Sequence, residues 1–189
     1  MKILMLGDSI TAMMPTELID AQVDNKSLYG GIIKYIAKIL DNLDLMVYDK
    51  IVVLAGINDF LLPTVYHELE TKNDEEIVNE LFALVQVLKE NSTADIFVQS
   101  IYPIYTNHFD HDFAAKHIKN MNELIKSSCD KYKTQYLDVY KMLVDGDGNL
   151  NLKYAQEDGL HPNKQGYEKI CERINNEVVK KTKNINKML

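Results

Sequence analysis

A protein of 189 residues, 46% hydrophobic and 26% charged, is long enough to bury a sizeable core and fits one domain over 1–189. Its formal net charge of −7 argues against nucleic acid or an anionic membrane as partners. No apolar stretch approaches the length of a membrane span and no signal peptide is legible, so the protein is read as cytoplasmic with no integral membrane segment.

The first element is "KILMLG" over 2–7, a near-continuous apolar run that stops at Gly7-Asp8-Ser9. Runs of this kind predict strands buried on both faces, hence parallel strands covered by helices. A weaker strand is expected at "AQVDNKSL", 21–28, before an amphipathic helix over 30–43. "KIVVLAG" (50–56) predicts a strand that ends at Gly56-Ile57-Asn58-Asp59. A helix over 74–91 follows, with acidic residues in its first turn, where the helix dipole favours them. "DIFVQSIYP" (95–103), a helix over 112–132, "TQYLDVY" (134–140) and a helix over 163–181 complete the series. Cys129 and Cys171 fall in helix-like segments without a CxxC and are read as buried thiols. Alternating strand and helix predicts an α/β sandwich with right-handed crossovers.

In such sheets, ligands bind outside the carboxyl ends of the strands. Gly7-Asp8-Ser9 and Gly56-Ile57-Asn58-Asp59 both fall there, on one rim. A serine hydroxyl needs a base within hydrogen-bond reach, and the base needs an orienting acceptor. Of five histidines, only His161 has a carboxylate placed to orient it, Asp158 three residues earlier in "EDGLHPN". The other reading of that turn is a simple helix cap. Asn58 can serve as a donor to an oxyanion or as an ordinary turn residue. Gly30 and Gly31, at a helix start, offer free N–H groups or simply a loop-to-helix transition.

Together and in order, "GDSIT", "NKSLYGG", "GIND" and "DGLHPN" resemble the four sequence blocks of the GDSL, or SGNH, hydrolases, in particular the small bacterial acylhydrolase branch. The resemblance spans nearly all of the sequence. It implies a three-layer α/β/α sandwich with a flavodoxin-like parallel sheet. It also implies a serine esterase acting on a small-molecule acyl ester, with Ser9 as nucleophile, His161 as base and Asp158 as its orienting partner. The Ser9 amide, the Gly30 amide and the Asn58 side chain would form the oxyanion hole, with Gly31 as an alternative to Gly30. No metal or organic cofactor is implied. Asp8 and Asp59 are read as acceptors that tie down their turns. Met13 and Met14, where the family often has Glu or Gly, line an acyl pocket or pack the core. A serine near residue ten, with acid and base in one turn, also differs from the mid-sequence G-x-S-x-G of α/β-hydrolases.

Two other readings compete. His108, Asp110, His111 and Asp112, in the 105–113 segment, invite a metal; a loop that shapes substrate access is the preferred reading. A non-catalytic α/β ligand-binding or receiver-like module would use strand-end acids but has no need of the Asp158/His161 pair. Candidate substrates are acetylated sugars, lysophospholipids, short acyl esters and acyl thioesters.

Overall fold

The computed structural model describes residues 1–105 and 110–180; His108 and most of the basic tail over 180–187 lie outside the described residues. Five strands, β1 (Lys2–Gly7), β2 (Gln22–Ser27), β3 (Lys50–Leu54), β4 (Asp95–Gln99) and β5 (Gln135–Leu137), form one sheet in the order β2-β1-β3-β4-β5. Every neighbouring pair is parallel. This is the flavodoxin-like strand order, whose direction of winding reverses between β1 and β3.

Strand alternation sends successive residues to opposite faces. Leu4, Leu6, Ile51, Val53, Ile96 and Val98 pack against one helical layer, built from α2 (Ile33–Ala37), α4 (Asp74–Glu90) and α5 (His111–Tyr132). Ile3, Met5, Val52, Leu54 and Phe97 pack against the other, which includes α1 (Ser9–Ala12), α6 (Tyr140–Leu143) and α7 (Lys164–Ile174). A short helix, α3 (Ile57–Leu61), caps the end of β3. The central strands are inaccessible along almost their whole length, and each buried aliphatic residue stabilises the fold by about 1.5–3 kcal/mol. The rim of the sheet therefore rests on a rigid support.

The strand expected at 21–28 is present and is an edge strand, which explains its polar composition. The helix expected over 30–43 is much shorter. Its first three residues stay outside the helix, which starts at Ile33, and after Ala37 it tightens into a 3₁₀ segment. α4 opens with a full capping box between Asn73 and Glu76. The helix over 163–181 ends at Ile174 and continues as a π turn, Asn175–Val179. Both cysteines are free and buried, and burial pushes the Cys129 thiol up to about 11 and that of Cys171 to about 12. Met14 packs in the core beside Cys171, and Met13 packs against the same cluster, so the pair belongs to the core.

Candidate active site

The reversal point between β1 and β3 brings the two polar clusters together. At the end of β1 the backbone must turn at once into α1. A Cβ on Gly7 would sit 2.2 Å from Thr11 Oγ1 and 2.8 Å from the Leu54 carbonyl, so only glycine fits. Asp8 caps α1 by accepting from the Ile10 amide at 2.9 Å. Ser9 is then the first helical residue, and its amide is one of the donors a helix start leaves without an internal partner. At the end of β3, Gly56 takes φ +121°, a conformation that glycine tolerates and other residues rarely adopt, and Asn58 follows within the first turn of α3.

The Ser9 hydroxyl lies 2.9 Å from His161 Nε2, across 152 residues of sequence. His161 Nδ1 lies 2.6 Å from Asp158 Oδ2. The other carboxylate oxygen, Oδ1, accepts from the amides of Leu160 (2.9 Å) and His161 (3.0 Å). One aspartate thus shapes the turn with one oxygen and orients the ring with the other. Partial burial pushes the Asp158 carboxyl up, but the hydrogen bonds from the His161 ring and the two amides outweigh it and hold it below its ordinary value. An ionised acceptor at Nδ1 fixes the proton there and leaves Nε2 as a lone pair facing the serine.

Two further groups converge on this rim. The Asn58 side chain is buried, and its Nδ2 donates to the Gly31 carbonyl at 3.0 Å. That bond uses one of its two N–H groups. The Gly31 amide is engaged by the Leu28 carbonyl at 3.0 Å. Gly30, beside it, is exposed, which favours Gly30 over Gly31 as a donor. Asp59 accepts from the Ile33 amide at 3.1 Å, as a residue that ties down a turn should.

Asp8 is entirely buried, and its Oδ2 has no hydrogen-bond partner among the described residues. Burial pushes its carboxyl up to about 7, against the pull of the Ile10 amide and of His161. Between its ordinary value of 3.8 and about 7 the folded protein therefore holds a proton that the unfolded protein has lost, so stability falls as pH rises through that window. Asp8→Asn keeps the cap and cannot ionise. Its stability relative to the wild type should improve by about 2–4 kcal/mol between pH 4 and pH 8. Denaturant unfolding at the two pH values checks this; a difference independent of pH would contradict it.

The 105–113 segment begins beside the site, where the Tyr105 amide donates to the Gly159 carbonyl at 2.6 Å. Asp110 caps α5 through the Phe113 amide, and the His111 ring packs on Tyr105 with centroids 4.2 Å apart. Among the described residues no cluster of three metal-ligating side chains occurs; His108, part of the candidate set, lies outside them.

A second histidine–carboxylate pair was not legible in the sequence. His117 Nδ1 lies 2.8 Å from Asp74 Oδ1, and Asn120 holds the other oxygen at 2.6 Å. The His117 ring packs on Phe60 and Phe113. Phe113 and His117 stand four apart on one helix face, a visible signal, but Asp74 is 43 residues from His117 with no local pattern linking them.

A family model described as the GDSL-like Lipase/Acylhydrolase family matches residues 33–169, a span that holds Asn58, Asp158 and His161 and begins after Ser9 and Gly30. No curated protein sequence matches. Among solved structures, a GDSL-like lipase from Bacteroides thetaiotaomicron superposes with a TM-score of 0.75 at 18% identity, covering 93% of this protein and 86% of that one. The lipase/acylhydrolase from Enterococcus faecalis superposes with a TM-score of 0.74 at 19% identity, covering 94% of each. The acetyl xylan esterase AlAXEase does so with a TM-score of 0.75 at 17% identity, covering 94% of this protein and 100% of that one. At these identities the structures establish a shared fold.

Proposed function

Because the protein belongs to the GDSL-like lipase/acylhydrolase family, and so is a hydrolase of ester bonds, we propose that it cleaves short acyl esters through an acyl-Ser9 intermediate. The observation that carries this reading is the 2.9 Å approach of the Ser9 hydroxyl to His161 Nε2, with Asp158 on the far side of the ring. Ser9 Oγ attacks the acyl carbon as its proton passes to Nε2. The charge that develops on the acyl oxygen is met by the Ser9 amide, the Gly30 amide and the second N–H of Asn58 Nδ2. Collapse breaks the ester bond, and the leaving alkoxide takes the proton from Nε2. Water, deprotonated by the same nitrogen, then frees the acid and restores Ser9. No step calls for a metal or cofactor. The substrate is a small molecule, and the packing of Tyr105 on His111 and of Phe60 on Phe113, at the start of α5, supports a role for these residues in shaping its access. Family membership as a hydrolase sets aside the receiver-like alternative.

A series of p-nitrophenyl esters from acetate to octanoate, assayed with wild type and Asn58 variants, tests the proposal. The wild type should prefer the short esters. Asn58→Ala should lower kcat about a hundred- to a thousandfold, roughly 2.7–4 kcal/mol, with little change in KM, because the donor is used mainly in the transition state. Asn58→Asp should do at least as much damage, since its carboxylate would repel both the developing oxyanion and the Gly31 carbonyl it now faces. A near-active Asn58→Asp enzyme would remove Asn58 from the site.

A further inference from the structure

α2 begins without a capping side chain, since its N-cap is Ile32. The missing acceptor comes from α3: the Asp59 carboxylate, 1% exposed, takes the Ile33 amide at 3.1 Å. One residue earlier, Asn58 holds the Gly31 carbonyl. Consecutive residues of α3 therefore grip the turn 31–33, directly after Gly30. Behind Asp59, Lys72 Nζ lies 3.9 Å from Oδ1 and is itself held by Glu80 Oε2 at 2.5 Å. The Lys72 side chain is only 15% exposed, so water screens this ion pair weakly.

We infer that Lys72 is a positioning residue: by keeping Asp59 ionised it holds the turn that presents the Gly30 amide. This rests on the reading of Gly30 as an oxyanion donor. The electrostatics agree with the geometry. Burial pushes the Asp59 carboxyl up to about 6; the Ile33 amide and Lys72 pull it down, and Glu80 pushes it up. The Asp59 charge in turn pushes up the carboxyl of Asp8, at the end of β1. Lys34 and Tyr35 of α2, with Glu68 and Glu70 of the loop between α3 and α4, line the cavity of about 270 Å³ beside Asp59 and Lys72.

Removing the Lys72 charge should move Asp59 protonation to higher pH, and removing the Glu80 charge should move it lower. A protonated Asp59 holds the Ile33 amide less well, because a neutral acceptor makes a weaker hydrogen bond than a charged one.

The test uses Lys72→Gln, Lys72→Arg and Glu80→Gln. It reads the pH titration of the Ile33 and Gly30 backbone amide NMR signals, and the ratio of variant to wild-type kcat on p-nitrophenyl acetate, a ratio that cancels titrations both proteins share. The amide midpoint should rise by about one pH unit in Lys72→Gln, fall in Glu80→Gln, and stay near wild type in Lys72→Arg. The kcat ratio for Lys72→Gln should dip about two- to threefold in the window between the wild-type midpoint and the raised one and return towards one on either side, at constant KM. Midpoints that do not move, or that move in the same direction in both charge-removing variants, overturn the inference. So does a kcat ratio that is flat with pH while the amides titrate as expected. If Lys72→Gln fails to fold, the downward midpoint in Glu80→Gln, or its absence, decides. Amides that shift as expected in a wild-type protein that hydrolyses no ester leave the electrostatic clamp standing and overturn the assignment of Gly30 to an ester-hydrolase site.

Discussion

Ser9→Ala should lower kcat on a short acyl ester by about 10⁴- to 10⁶-fold and leave the fold intact. The Ser9 hydroxyl has one hydrogen-bond partner among the described residues, the His161 ring, and Ser9 is the first residue of a short helix in which alanine is at least as favourable. Removing the hydroxyl thus removes the nucleophile with little structural loss, so unfolding free energy should change by about 0.5 kcal/mol or less. Steady-state assay and denaturant unfolding of the same preparation check both halves. A variant that keeps wild-type turnover, or one that loses turnover because it is unfolded, contradicts the expectation.

The second large effect belongs to the Asp158–His161 pair. His161→Ala should cost about as much as Ser9→Ala, since the two act as a unit. Asp158→Asn should cost about 10²- to 10⁴-fold, for a reason the geometry makes specific. An asparagine that keeps its oxygen toward the amides of Leu160 and His161 must point its NH₂ at Nδ1, where Oδ2 now sits. Nδ1 then has to be the acceptor, the ring proton moves to Nε2, and the nitrogen facing Ser9 can no longer take its proton. The Asp158 side chain is 48% exposed, so water compensates part of the lost charge and the cost falls toward the lower end of the range. The double variant should be no worse than His161→Ala alone. Log losses that add would show that the two residues act separately.

The central strands were plain in the sequence because they are buried on both faces and carry unbroken apolar runs. β2 was harder to see because it lies at an edge and carries polar residues such as Asp24, Asn25 and Lys26. The shortening of α2 was hidden for a different reason. Ile32 and Ile33 fit a helical stripe, yet the backbone at Ile32 is extended so that the turn can meet Asn58 and Asp59. At the candidate site, Ser9, Asn58, Asp158 and His161 were visible as residue types at element ends. That the strand-end clusters share one rim was legible too, and the resemblance implied a single site; the strand order that sets β1 beside β3 was not. The choice between Gly30 and Gly31 turns on a single backbone bond, from Gly31 to Leu28, that no composition rule reports. Lys72 and Glu80 had no signal: a lysine before a helix and a glutamate within it read as solvated surface, and only the fold sets them against a buried carboxylate.

The central claim is that Ser9 is the nucleophile, and mapping the site of a covalent fluorophosphonate label tests it most directly. The protein is inactivated to graded extents, digested, and the labelled peptide identified by mass spectrometry alongside residual turnover. The expected result is one label per molecule, on Ser9, with activity lost in proportion and no labelling of Ser9→Ala. A label on another residue with Ser9 bare, or full turnover by protein labelled at Ser9, would contradict it.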